Sequence, residues 1–253
     1  MFERNFTIPY YGLDMYNRVK PGVLLQFFQE TAALHAGTVN IGVDDLMKRD
    51  LTWVLRRYRV NVNRYPGRGE LLVRTWFEPQ RNLLSVRMFE VKDADGNVIA
   101  SAWSSWIVVD LKKGRPVRLD RALPDAYFKV SEPTGEPISG DVPGIEGEPD
   151  FERRFDARRS ELDLNGHTNH TVYFEWALES IPDEEIAGFY PTTFDAEFLV
   201  SVKREQVSAV TKKTGENPLR YSHSILINET GALSARLETV WEIARPICFC
   251  GRG

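Results

Sequence analysis

The feature that most constrains this chain is that it contains its own plan twice. Leu13-Asp14-Met15 precedes the apolar run Val23-Leu-Leu-Gln-Phe-Phe-Gln-Glu30. At the same spacing, Leu162-Asp163-Leu164 precedes Val172-Tyr-Phe-Glu-Trp-Ala-Leu-Glu179. Later in each copy, Gly96, Ala100 and Trp106 share their spacing with Gly231, Ala235 and Trp241. Two matches in the same order point to an internal duplication, which limits the architecture before local propensity does. Each copy opens on a short extended segment (Phe2 to Tyr10; Asp150 to Asp156), followed by a turn and a helix. In the first helix Val23, Leu24, Phe27, Phe28, Thr31 and Ala32 recur at three- and four-residue spacing. The second, Val172 to Ile181, is more apolar still, and Pro182 ends it. Helices this apolar around their circumference are buried on most sides.

Strands follow each helix. Val54, Arg56, Tyr58, Val60 and Val62 share one strand face, and Leu84, Val86 and Met88 alternate with Ser85, Arg87 and Phe89. Ala94 to Asn97 and Asn228 to Gly231 are tight turns. In the second copy, strand is expected from Asp195 to Val210, Arg220 to Asn228 and Leu233 to Ile243. The fold class is therefore α+β, with an antiparallel sheet wrapped around one buried helix in each copy. One such unit leaves half its helix bare, and two side by side hide both.

A seam separates the copies. Six prolines lie between positions 116 and 149, and from Ser131 to Asp150 there are six acidic residues and no basic one. Such a stretch buries little. The expected division is 1–130 for the first domain, 131–149 for an acidic Pro-rich linker and 150–253 for the second. The 253 residues suffice for that plan. A formal net charge of −4 gives no footprint for nucleic acid. The absence of an apolar run of about 18 residues excludes a spanning helix. Nothing at the N-terminus resembles a secretory signal, so a cytoplasmic location is expected. Cys248 and Cys250 are too close for an ordinary disulfide and too few for zinc.

Chemistry concentrates at one place. The chain has four histidines. Two of them, His167 and His170, crowd with Asp163, Asn165 and Asn169 just before the second helix. Capping explains one or two such polar residues, but not five. The matched positions in the first copy are Tyr16 for Asn165 and Arg18 for His167. Only the second copy thus has an acid/base group there. A helix N-terminus supplies N–H donors for the oxyanion of acyl transfer, Asn165 adds another, and His167 can move protons. The competing readings are a capped turn with a structural histidine, and a metal held by His167, His170 and Asp163. No nucleophile elbow, phosphate-binding loop or dinucleotide fingerprint is present.

At these residues the sequence resembles the acyl–acyl carrier protein thioesterases of plant plastids and bacteria. The matching pieces are Leu162-Asp-Leu-Asn-Gly-His-Thr-Asn169, Tyr173, Trp176 and Leu178-Glu-Ser180. In the first copy they are Leu51-Thr-Trp-Val54 and Asn63-Arg-Tyr-Pro66. The resemblance spans the chain outside the linker. It implies a double hot-dog fold in one chain, hydrolysis of fatty acyl–acyl carrier protein to free fatty acid, and no cofactor or metal. It implies a catalytic set of Asp163, Asn165 and His167 with a strand glutamate, matched by Glu205 in Val202-Lys-Arg-Glu-Gln206. Gln206 stands where plant members have cysteine, so a cysteine nucleophile is excluded there. The first domain would form the acyl tunnel, with Phe27, Phe28, Trp53 and Tyr58 as substrate-binding candidates.

Acidic carrier protein is the expected partner, and the chain would act as a monomer or homodimer. Docking would use Arg56, Arg57, Arg59, Arg64, Arg68 and Arg74, or Arg153, Arg154, Arg158 and Arg159. Two alternatives stand beside this one. The first is a hot-dog enzyme acting on coenzyme A esters, as a thioesterase or a hydratase. The second is a non-catalytic acyl-binding module, which would have no use for the full set of Asp163, Asn165, His167 and Glu205.

Overall fold

Strand order makes the duplication physical. The computed structural model describes residues 1–78, 83–125, 127–129 and 140–243. The first copy contains β1 (Phe2–Thr7), α1 (Pro21–Thr38), α2 (Val43–Met47), β2 (Leu51–Val62), β3 (Glu70–Glu78), β4 (Leu84–Lys92), β5 (Val98–Asp110), β6 (Arg115–Val117) and α3 (Leu119–Ala122). The second contains β7 (Phe151–Asp156), α4 (His170–Glu179), β8 (Phe189–Phe198), β9 (Gln206–Glu216), β10 (Leu219–Ile227) and β11 (Leu233–Ile243). All strands join one sheet in the order β1-β3-β4-β5-β2-β8-β11-β10-β9-β7, with β6 paired to β5. Read inward from either edge, the order within each copy is the same. Every pairing is antiparallel. The Cys248–Cys250 pair and residues 131–139 of the linker lie outside the described residues.

The copies meet where β2 pairs with β8, with Tyr58 opposite Ala196 and Arg59 opposite Asp195. A buried ion pair holds this seam. Arg57 donates from Nε and Nη2 to the two Asp195 carboxylate oxygens, each at 2.9 Å, and Arg59 Nε donates to Oδ2 at 2.7 Å. Bidentate guanidinium geometry satisfies a carboxylate that would otherwise be a costly buried charge.

α1 and α4 pack against each other, α1 also on β1 and β3, and α4 on β9, β10 and β11. One hydrophobic core spans both copies. Its centre is an aromatic chain. Tyr58 lies 6.5 Å from Phe28, 6.0 Å from Phe89 and 6.3 Å from Phe174, and Phe174 lies 5.8 Å from Phe194. Each copy adds a smaller cluster of its own, around Phe77 and Tyr127 in the first and around Tyr221 and Trp241 in the second.

Two local expectations need correction. α4 starts at His170 rather than Val172, because the Asn169 side chain caps it by accepting the Thr171 N–H at 3.0 Å. The stretch from Asp195 to Val210 is not continuous strand. β8 stops at Phe198 and β9 starts at Gln206, leaving Glu205 in the connection. There the backbone serves other partners: Leu199 and Val200 donate to the Ser234 carbonyl, and the Val202 carbonyl accepts from Thr168.

Candidate active site

The turn before α4 is a closed loop built by one carboxylate. Leu162 and Thr168 form an isolated antiparallel bridge. Asp163 Oδ1 accepts the N–H groups of Asn165 at 2.8 Å and His167 at 3.1 Å, while the Asp163 N–H donates to the His167 carbonyl at 2.7 Å. Gly166 takes the left-handed conformation (φ +72°) that lets the chain double back. Thr168 anchors the loop, donating from its N–H to the Val202 carbonyl at 2.8 Å and from Oγ1 to the Lys203 carbonyl at 3.2 Å.

The same turn exists in the first copy. Asp14 Oδ1 accepts the N–H groups of Tyr16 at 2.9 Å and Arg18 at 2.8 Å. Leu13 bridges Val19, and Asn17 occupies the left-handed position (φ 60°). The other Asp14 carboxylate oxygen, Oδ2, accepts the Tyr190 hydroxyl at 2.6 Å. The aspartate is therefore a turn-forming residue in both copies. Asn165 and His167 are particular to the second.

Asp163, Asn165 and His167 line a cavity of about 930 Å³ that both copies enclose. The Asn165 carbonyl Oδ1 accepts the Thr52 hydroxyl of β2 at 2.9 Å, a contact between copies. This fixes which end of the amide is the NH₂, and that group donates to Asp163 Oδ2 at 3.4 Å. The His167 imidazole is half-buried and makes no hydrogen bond to a described residue. Asp163 thus braces the backbone and does not hold the ring. Glu205 does not line the cavity. Its Oε2 accepts the Lys203 N–H at 3.2 Å, within the segment that anchors Thr168. Burial raises the pKa of the adjacent Tyr173 hydroxyl, and Glu205 and Asp163 both push it the same way. The two carboxylates therefore share one electrostatic neighbourhood. That hydroxyl accepts the Val202 N–H at 3.1 Å.

The helix-end donors are mostly spent. From 163 to 172, only the N–H groups of Leu164 and His170 lack a partner among the described residues. His170 also lines the cavity, with Nε2 buried and without a hydrogen-bond partner among the described residues. Burial lowers its pKa to about 4, so it is neutral at ordinary pH. Among the described residues no group of three or more metal-ligating side chains exists, and the His167–His170 pair has no third ligand there.

Of the four residues expected to touch substrate, Trp53 and Tyr58 line the cavity. Phe27 and Phe28 do not. Phe27 stacks on Phe6 of β1 at 4.3 Å, and Phe28 is fully buried against Phe89 at 5.0 Å. The face of α1 that borders the cavity is Gln29, Ala32, Ala33 and Ala36. Small residues at helical spacing leave room, and that was the missed signal. Thr52 and the Ser85–Arg87–Phe89 face of β4 were missed for a different reason. Strand alternation shows two faces without telling which one looks inward.

Most of the arginines expected to dock a partner are engaged. Arg57 and Arg59 hold Asp195, Arg64 pairs with Asp93, Arg68 donates to Tyr10 and Arg74 bonds Glu3 and Glu90. Arg153, Arg154 and Arg158 pair with Glu179, Glu152 and Glu161. Arg56, at the cavity, and Arg159 have no acidic partner among the described residues.

Comparison with known proteins agrees with this geometry. The acyl-ACP thioesterase N-terminal domain matches residues 1–127, and the acyl-ACP thioesterase C-terminal domain matches residues 146–243. A chloroplastic palmitoyl-acyl carrier protein thioesterase of Cuphea hookeriana is 26% identical over 92% of the chain. The chain spans 60% of that relative's length. The crystal structure of an acyl-ACP thioesterase from Bacteroides thetaiotaomicron superposes with a TM-score of 0.82 at 24% identity, covering 95% of this chain and 97% of that one. A 12:0-ACP thioesterase from Umbellularia californica gives 0.83 at 23% identity, covering 96% and 94%. The fold is the expected double hot-dog. With both halves of the chain matched by its two domains, the protein belongs to the acyl-ACP thioesterase family.

Proposed function

We propose that the chain hydrolyses the thioester of fatty acyl–acyl carrier protein, releasing free fatty acid in fatty acid biosynthesis. One observation carries this. Two structurally equivalent turns exist, and only the one facing the large cavity bears Asn165 and His167. The Asn165 NH₂, oriented by Thr52, donates to the thioester carbonyl as negative charge develops on its oxygen. His167 takes a proton from water, with Glu205 as the carboxylate behind it, as the water oxygen attacks the carbonyl carbon. The C–S bond then breaks, and the proton passes from the imidazole to the leaving thiolate. Asp163 keeps the turn in shape and adds negative charge nearby. Gln206 offers no thiol, so the first step needs water or a carboxylate.

The acyl chain lies in the cavity along Trp53 and Tyr58, and the first domain, 1–130, shapes it while 150–253 supplies the chemistry. Carrier protein docks beside the cavity at Arg56, which lines it, and at Arg159, Lys203 and Arg204, all without acidic partners among the described residues. No helix of the described residues is long and apolar enough to cross a membrane. The chain acts in the cytoplasm, as a monomer or homodimer.

The deciding experiment compares hydrolysis of one acyl group carried on acyl carrier protein and on coenzyme A. Faster release from carrier protein is expected. Equal rates would assign the chain to coenzyme A esters, and no release from either would make it an acyl-binding module. Single turnover in oxygen-labelled water separates the two chemical routes. Label in the Glu205 or Asp163 carboxylate would mean direct attack through an anhydride.

A further inference from the structure

Arg87 of β4 is out of place in an acyl tunnel. It lines the cavity, is 8% exposed, and has no carboxylate among its partners in the described residues. Its Nη1 bonds His35 Nδ1 at 3.1 Å and Thr75 Oγ1 at 3.2 Å, and the guanidinium lies over the Phe77 ring at 5.2 Å. Nε and Nη2 make no hydrogen bond there. His35 is held neutral, its pKa lowered to about 3 by burial and by Arg87, so no counter-charge comes from it. By contrast, the buried guanidinium of Arg57 has an acid, Asp195.

Other polar groups gather around Arg87. Ser85 and Tyr127, both lining the same cavity, share a hydrogen bond at 2.6 Å. Tyr58 is buried and borders the cavity, and its hydroxyl has no hydrogen-bond partner among the described residues. Arg87 and Tyr58 flank the same residue, Ser104 of β5, while Thr52, which orients Asn165, pairs with Val109. Five residues of strand place the cluster ~16 Å from the Asn165 end. The cavity therefore has a reacting end, an apolar stretch and a cationic, hydroxyl-rich far end. An uncompensated buried cation is strongly disfavoured unless something pairs with it, and a purely hydrocarbon ligand would only deepen that loss.

We infer that the acyl group taken by this chain carries an oxygen acceptor at its far end, a carboxylate bound best and a hydroxyl less well, which Arg87 and Tyr58 receive. The inference rests on the acyl-thioesterase reading for its orientation. The terminal oxygen would accept from Arg87 Nε and Nη2, and the Tyr58 hydroxyl would donate to it.

The test uses carrier-protein thioesters in three parallel series from octanoyl to hexadecanoyl: unsubstituted, ω-hydroxy and ω-carboxy. At the best-fitting length, kcat/KM for the ω-carboxy ester should exceed that for the unsubstituted ester by tenfold or more. Arg87→Met should reverse the order, and Arg87→Lys should keep it. Tyr58→Phe should reduce the advantage of the ω-hydroxy series. A wild type that prefers unsubstituted chains at every length overturns the inference. So does an Arg87→Met protein, folded by circular dichroism, with an unchanged ratio. If Arg87→Met does not fold, the wild-type order and the Tyr58→Phe result decide. If no ester is hydrolysed, the thioesterase reading fails separately. Calorimetric binding of free long-chain dicarboxylates against monocarboxylates then decides this one: tighter dicarboxylate binding, lost in Arg87→Met, supports it, and no preference overturns it.

Discussion

The turn from 13 to 19 and the turn from 162 to 168 have one backbone and two fates. Each is tied by an aspartate whose Oδ1 takes two N–H groups, closed by an isolated bridge and bent at a left-handed residue. In the first, Arg18 is buried and stacks over Tyr190 at 4.9 Å, and Asp14 bonds the Tyr190 hydroxyl. In the second, the same positions face a cavity, with an amide oriented by Thr52 and an imidazole without a partner among the described residues. The difference teaches that the aspartate builds the turn in both copies, and under the proposed mechanism the residues two and four positions later carry the chemistry. A shared motif thus separates what the fold needs from what the reaction needs.

The largest effect should come from breaking the difference itself. His167→Ala should lower kcat/KM on acyl–carrier thioesters by roughly a hundred- to ten-thousand-fold. Arg18→Ala, its structural counterpart, should leave kcat/KM of the folded fraction within a few-fold. Equal losses in the two variants would mean that His167 too is scaffold. Next, Glu205→Gln should reduce kcat by about a hundredfold, at the lower end for lost acid–base assistance, with little change in KM. A Glu205→Gln enzyme with wild-type kcat would remove that carboxylate from the mechanism.

Smaller effects sharpen the comparison. Thr52→Val removes the hydroxyl that orients Asn165, so kcat/KM should fall by about tenfold, the worth of one hydrogen bond of roughly 1.4 kcal/mol. Unchanged kinetics would show that the cross-copy contact is incidental. Smallest should be the aspartates' stability contribution. Asp163→Ala should lower unfolding stability in urea by about 1 kcal/mol, because its turn bonds are exposed, and Asp14→Ala by more, because it also loses the part-buried bond from the Tyr190 hydroxyl. Asp163→Asn, which keeps the accepting Oδ1, should recover that stability. If it also recovers activity, the aspartate acts only through the turn; if activity stays low, its charge matters too.

Much of this was legible before the structure. The repeated spacings gave two helix-and-sheet units, and the absence of Asn165 and His167 counterparts at Tyr16 and Arg18 singled out one turn. Other parts were hidden by the limits of periodicity. Phe27 and Phe28 look alike in sequence, yet one stacks on β1 and the other fills the core, because a helix packed on most sides gives no single inward face. Glu205 falls in a connection because hydrogen bonds from Thr168 and Ser234 redirect the chain, and those partners lie 30 or so residues away.

Sequence alone determined the duplication, the pairing of turn with helix and the location of the one asymmetric turn. These are local patterns repeated, and repetition survives without knowledge of contacts. Tertiary structure decided which strand face looks inward, which arginines are already paired, and that Thr52 of one copy orients Asn165 of the other. It also decided that Arg87 is buried in the cavity wall without an acid among the described residues. Each of these depends on the meeting of β2 with β8 and on two helices sharing one core. A burial or a missing counter-charge is a property of neighbours brought together across the chain, and no spacing within it records them.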